Sequence, residues 1–165
     1  MPGCGKSTWG KKLANALQYS FIDLDEMIEQ NEQQSIEQIF AEKGEVFFRD
    51  LEHKYLQKTT NINNVIISCG GGTPCYNNNM NLINENGISI FINAKNSILV
   101  DRILNAKKQR PLFFYLDKVQ IEKKVDELLL QRMPFYELAS FTFFIPQETV
   151  QSFVNKAIKV ISEVK

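Results

Sequence analysis

Residues 3 to 8 read Gly3-Cys4-Gly5-Lys6-Ser7-Thr8, the closing half of a glycine-rich loop that wraps a phosphate chain. The full pattern is a glycine, any four residues, then Gly-Lys-Ser/Thr, set between a buried strand and a helix. Gly5-Lys6-Ser7 completes it here, while the leading glycine and the strand that carries the loop would fall before Met1. The expectation is therefore that Met1 is an internal methionine of a longer chain. Triphosphate oxygens need several backbone N–H donors converging on one concavity, and glycines let the backbone approach without a Cβ in the way. In such a loop Lys6 reaches the β- and γ-phosphates and the Ser7 hydroxyl ligates Mg2+. The helix starting near Ser7 aims its positive end at the same anion. An ordinary glycine turn with a helix cap is the structural alternative. Trp9, Leu13 and Leu17, spaced for one helical face directly after the loop, favour the phosphate reading.

Outward from the loop, helical and strand patterns alternate, which predicts an α/β domain with a mostly parallel sheet. Phe21-Ile22-Asp23 is a short strand ending in an acid. Ser35 to Gln38 forms a capping box opening a helix that Gly44 can stop, and a further helix runs from about Glu45 to Lys58. Val65 to Ser68, Ile88 to Ile92 and Phe141 to Ile145 are apolar runs suited to strands buried on both faces. The last helix, from about Glu148 to Glu163, carries one apolar stripe. Asn77-Asn78-Asn79 reads as a helix start. Asn105 to Lys118 breaks the pattern with lysines, Arg110, Pro111 and exposed aromatics, and reads as a mobile basic insertion.

The 165 residues suit one domain, with 44% hydrophobic and 23% charged residues. Nineteen basic side chains balance nineteen acidic ones, so neither a nucleic-acid nor a membrane-surface partner is expected. No apolar run approaches a membrane span, and Lys6 with its flanking glycines interrupts any leader at once. Cys4, Cys69 and Cys75 are an odd set without paired metal spacing, as expected of reduced thiols in the cytoplasm.

Several downstream residues can do chemistry. In Asp23-Leu24-Asp25, alternate side chains of an extended segment share one side, so both carboxylates can face a cleft. Asp23 would assist Mg2+, and Asp25 would accept a proton from an acceptor hydroxyl. Helix capping is the plainer reading of Asp25. Arg49, one turn into its helix beside Phe48, has a fork suited to a carboxylate. Gly70-Gly71-Gly72 follows a buried strand, where open α/β sheets bind ligands. Arg110 lies in the basic insertion, and Arg132 is followed four residues later by Tyr136. His53, in a Glu/Lys-rich helical stretch, reads as a solvated surface residue.

Taken in order, Gly3-x-Gly5-Lys6-Ser7-Thr8, Phe21-Ile22-Asp23-x-Asp25, Gly44-Glu45-x-x-Phe48-Arg49, Gly70-Gly71-Gly72, Arg110-Pro111-Leu112 and Arg132-x-x-x-Tyr136 resemble shikimate kinase along essentially the whole chain. That resemblance implies a three-layer P-loop kinase fold with a five-stranded parallel sheet ordered 2-3-1-4-5, its first strand missing or shortened here. It implies a single domain over residues 1–165, with a shikimate-binding segment at about 25–60 and a mobile lid at about 105–119. The implied reaction moves the γ-phosphate of ATP to the 3-hydroxyl of shikimate, toward chorismate and the aromatic amino acids. By motif, Lys6, Asp25 and Arg110 would be catalytic. Gly3, Cys4, Gly5, Lys6, Ser7, Thr8, Arg110 and Gln147, with Pro146, would serve ATP, and Ser7 with Asp23 would serve Mg2+. Asp25, Phe40, Phe48, Arg49, Gly71, Gly72 and Arg132 would hold shikimate. A cytoplasmic monomer is expected. Gluconate kinases and nucleoside monophosphate kinases are the rival enzymes, opposed by the Asp23/Asp25 pair with the three glycines and Arg132; a non-catalytic binding protein is the rival from another class.

Overall fold

The computed structural model describes residues 1–106, 111–145 and 149–164. Helix α1 (Lys6–Leu17) starts directly on the glycine loop, and strand β1 (Ser20–Asp23) runs into α2 (Leu24–Glu32). Then follow α3 (Ile36–Thr59), β2 (Val65–Ser68), α4 (Asn79–Asn86), β3 (Ile90–Ala94) and α5 (Asn96–Leu104). The chain closes with α6 (Lys118–Tyr136), β4 (Phe141–Ile145) and α7 (Val150–Val164). Strands and helices alternate as the apolar pattern predicts.

The strands form two parallel pairs. β1 lies on β2, with Ser20 opposite Val65 and Asp23 opposite Ser68. β3 lies on β4, from Ile90 opposite Phe141 to Ala94 opposite Ile145. Among the described residues these are separate two-stranded ladders, the 2-3 and 4-5 pairings of the expected order. β3 begins two residues later than the apolar run suggests. The hydroxyls of Ser89 and Ser140 stand 3.2 Å apart and the Ser140 N–H donates to Ser89 Oγ at 2.9 Å, so side chains join the chains just before the ladder proper.

Apolar side chains gather in two clusters. The larger packs α1, β3, α5, α6, β4 and α7 around Leu13, Phe91, Val125, Phe143 and Phe153. The smaller joins Leu24 and Ile28 of α2 to Ile39, Phe48, Leu51, Tyr55 and Leu56 of α3, within the segment expected to serve the acceptor. Trp9 packs edge-on against Phe143 and Phe153, with ring centroids 5.0 and 5.3 Å away. In the insertion Phe113 is buried and Tyr115 fully exposed; Phe113 departs from the expectation of exposed aromatics because it joins the larger cluster.

The Ser35 capping box is present, its hydroxyl accepting from the Gln38 N–H at 3.2 Å and the Gln38 side chain accepting from the Ser35 N–H at 2.8 Å. Gly44 ends the first helical stretch of α3 as expected: its φ of 80° and ψ of 175° break the helical path in a kink, and a second helical stretch resumes at once. That conformation is nearly exclusive to glycine. Nothing lies within 4 Å of where a Gly44 Cβ would stand, so the cost of a side chain there is backbone strain alone. Gly44→Ala is expected to lower unfolding free energy by about 1–3 kcal/mol, read from urea midpoints; an unchanged midpoint would mean that the kink is not held.

Candidate active site

Gly3 and Gly5 adopt φ of 77° and 87°, so the backbone curls before α1 as the loop pattern requires. Lys6 opens the helix. A cleft of about 510 Å³ lies over the loop, lined among others by Gly3, Gly5, Lys6, Ser7, Trp9 and Arg102. Thr8 also faces this cleft. Cys4 does not: its side chain is buried in the larger core, leaving only its backbone to the loop. Arg102 of α5 donates from Nη1 to the Gly3 carbonyl at 3.0 Å, which places a guanidinium at the cleft wall.

The phosphate loop and the first acid are joined directly. Ser7 Oγ donates to Asp23 Oδ2 at 2.6 Å and lies 3.4 Å from Ser68 Oγ. Pairing Asp23 with Ser68 at the carboxyl ends of β1 and β2 sets both oxygens beside the start of α1. Asp23 is also the cap of α2, its Oδ1 accepting from the Asp25 N–H at 3.1 Å. Capping therefore falls on Asp23 rather than Asp25.

The three glycines form the crossing point of the other candidates. A Cβ on Gly70 would stand 2.6 Å from Glu52 Oε1 and 3.2 Å from Asp25 Oδ1. One on Gly71 would stand 3.1 Å from Arg132 Nη1, and one on Gly72 only 2.5 Å from Arg49 Nη1. Each glycine thus leaves room for one functional side chain to approach the backbone. Arg49 is 5% and Arg132 6% exposed, which is rare for arginine unless the charge is matched. Arg49 gives Nη1 to Glu52 Oε2 at 2.5 Å, and Nε and Nη2 to Glu45 Oε1 at 3.1 and 2.6 Å. Its plane also rests near the rings of Phe48 (5.4 Å), Phe40 (6.0 Å) and Tyr76 (4.6 Å). Beside Arg132, Tyr136 Oη donates to the Gly71 carbonyl at 2.5 Å and its ring stacks on Phe91 at 4.7 Å.

Burial pushes the Glu52 carboxyl above its usual range, while the Arg49 guanidinium pulls it down. Burial acts to lower Arg49, but Glu52 and Glu45 outweigh it and hold the guanidinium more firmly protonated.

The family model described as shikimate kinase matches residues 2–162. The chain belongs to the shikimate kinase family. A shikimate kinase of Azobacteroides pseudotrichonymphae is 39% identical over 160 residues, covering 96% of this chain and 94% of that protein. The shikimate kinase of Bacteroides thetaiotaomicron, known as a crystal structure, superposes with a TM-score of 0.90 at 34% identity, covering 97% of this chain and 93% of that one. A shikimate kinase of Acinetobacter baumannii in complex with shikimate superposes with a TM-score of 0.88 at 30% identity, covering 99% of this chain and 90% of that one. The family's α/β P-loop kinase fold is therefore the fold of this chain.

Against the motif-based expectations, the structure brings Asp25, Arg49, Arg132, Gly71 and Gly72 together around one turn and sets Phe40 and Phe48 beside Arg49. Arg110, Pro146 and Gln147 lie outside the described residues. Sequence reasoning passed over Glu52, Arg102 and Tyr76. Glu52 was legible in principle, because four-residue steps from Phe48 through Glu52 to Leu56 put it on the buried stripe of α3. His53 is a correction: it is half-buried and bonded to Asn79, because its part of α3 packs toward α4 instead of facing water.

Burial also pushes the Cys69 thiol up to about 12. At pH 8 only about one such thiol in ten thousand is ionised. Iodoacetamide treatment of the folded protein followed by peptide mass mapping should leave Cys69 unmodified while a free cysteine control reacts fully. Labelling at the control rate would show that the site is open to water.

Proposed function

We propose that this chain transfers the γ-phosphate of ATP to the 3-hydroxyl of shikimate, giving shikimate 3-phosphate and ADP. Family membership supports the reaction, and one observation carries the assignment of residues: the run Gly70 to Gly72 is approached by Asp25, Arg132 and Arg49 in turn. One end of the site is thus an anion-binding loop, and the other pairs a carboxylate with two buried guanidiniums, as a small hydroxy acid requires.

On the donor side, Lys6 and the N–H groups from Gly3 to Thr8 cradle the phosphates, with Arg102 at the cleft wall. Arg110 by motif, as the lid arginine, and Gln147 by motif, near the adenine, complete this side. Ser7, Asp23 and Ser68 offer converging oxygens, which suit Mg2+, a cation ordinarily shared between one or two protein oxygens and the phosphates. Bound there, Mg2+ would neutralise phosphate charge during transfer. Among the described residues no cluster of three or more His, Cys, Asp or Glu forms a metal cage.

On the acceptor side, Arg49 and Arg132 take the shikimate carboxylate and the Gly71 and Gly72 amides meet the ring. Phe40 and Phe48 give the apolar wall. Asp25 accepts the proton of the 3-hydroxyl as its oxygen bonds to the γ-phosphorus, and the bridging P–O bond breaks with its electron pair leaving on ADP. Such a loose transfer depends on positioning and charge neutralisation more than on covalent help from the protein. The free thiols Cys4, Cys69 and Cys75 fit a reducing cytoplasm; we assign the chain there as a monomeric, single-domain enzyme.

A coupled assay of ADP release tests the reading, with shikimate as acceptor against gluconate and nucleoside monophosphates. Turnover with shikimate alone is expected, and turnover with another acceptor instead would reject the assignment. Within that assay, Arg49→Lys and Arg132→Lys keep the charge but lose the fork. Each should raise the shikimate KM about 10- to 100-fold with the ATP KM within about twofold. Lysine is preferred to alanine at position 49, because removing the charge would strand buried Glu52 at a cost of about 3–5 kcal/mol. Lys6→Ala should instead lower kcat by about 100-fold or more. Wild-type shikimate KM in both arginine variants would dismiss the carboxylate clamp.

A further inference from the structure

The chain's single histidine stands at the head of a buried hydrogen-bond chain that ends at Arg49. His53 Nδ1 lies 2.6 Å from Asn79 Oδ1. Asn79, the first residue of α4, is 0% exposed and donates from Nδ2 to the Thr73 carbonyl at 2.8 Å. Thr73, also 0% exposed, donates its hydroxyl to Glu52. Glu52 holds Arg49 Nη1 at 2.5 Å. Thr73 is thus gripped twice by α3: through its hydroxyl by Glu52, and through its carbonyl by Asn79 and then His53, the neighbour of Glu52. The grip falls on the residue that follows Gly72, where a Cβ would stand only 2.5 Å from Arg49 Nη1.

The chain also fixes the histidine's proton. The nitrogen of the Asn79 amide must face the Thr73 carbonyl, since two acceptors would repel there. Its oxygen then faces His53 and can only accept. His53 must therefore carry its hydrogen on Nδ1, in the neutral ring as in the cation.

We propose that His53 and Asn79 are positioning residues that lock the turn from Gly70 to Tyr76 in register with Arg49, and so set acceptor affinity without touching the acceptor. The inference rests on the proposed acceptor site for its kinetic consequence only.

The test compares His53→Leu, Asn79→Leu and His53→Asn, the last returning an amide N–H close to the place of Nδ1. Both leucine variants should raise the shikimate KM about five- to tenfold, the factor that loss of one buried hydrogen bond corresponds to, with the ATP KM unchanged. His53→Asn should restore most of the loss. Independently of any acceptor, amide hydrogen exchange in residues 70–76 should quicken about tenfold or more in the leucine variants and recover in His53→Asn, while β4 stays as protected as in the wild type. The nitrogen spectrum of the single histidine should show the Nδ1–H form. If Asn79→Leu does not fold, the two His53 variants on a half-buried site carry the comparison. Unchanged exchange, a dominant Nε2–H form, or quickened exchange with unaltered shikimate KM would each overturn the proposal. A wild-type enzyme inert toward shikimate, with the exchange and tautomer results as expected, would reject the acceptor and leave the lock established.

Discussion

Two guanidinium groups lie almost wholly out of water against one glycine turn, and the packing of α3 and α6 around that turn answers to that constraint. An isolated buried charge costs several kcal/mol, so each must be matched or stacked. For Arg49 the answer is Glu45 and Glu52 on its own helix, with three aromatic rings beside it. Burial of Glu52 then calls for Thr73 as a further donor, which ties the turn after β2 to α3. Charge matching, rather than loop propensity, dictates where this turn sits.

The two apolar clusters divide the work accordingly. α1, which carries the phosphate loop, is anchored in the larger cluster through Leu13 and Trp9. Arg49 sits on the smaller one, while Arg132 belongs to α6 on the larger. The glycine turn receives side chains from both, so it joins the two packing units. Ser7 bonded to Asp23 makes a second junction between α1 and the end of β1.

Much of this was legible in the chain. The glycine loop, the Ser35 capping box and the glycine run are local signals whose spacing itself encodes geometry: the capping box is present, Gly3 and Gly5 curl the backbone before α1, and Gly70 to Gly72 follow β2 as a turn. Gly44 was legible as the break between two helical stretches, the second of which buries Phe48 and Leu51. His53, Glu52 and Arg102 were missed for another reason. Their meaning lies in partners 26, 21 and 99 residues away in sequence, and a polar side chain in a charged helix gives no local sign of which partner it will meet. Cys4 shows the converse: it belongs to the loop motif, yet the motif does not say that its side chain turns into the core.

The lone tryptophan has an optical consequence. Trp9 lies in the wall of the cleft over the glycine loop, edge-on to two phenylalanines and with the Lys12 ammonium 5.7 Å from its ring. Indole emission responds to nearby charge and to water, so the protein carries an intrinsic reporter in the wall of that cleft. The turn from Gly70 to Gly72 has no such chromophore, only the phenols of Tyr76 and Tyr136. Under the proposed assignment of the two ends of the site, the two substrates would address different fluorophores, and their order of binding would be followed by light on the unlabelled chain.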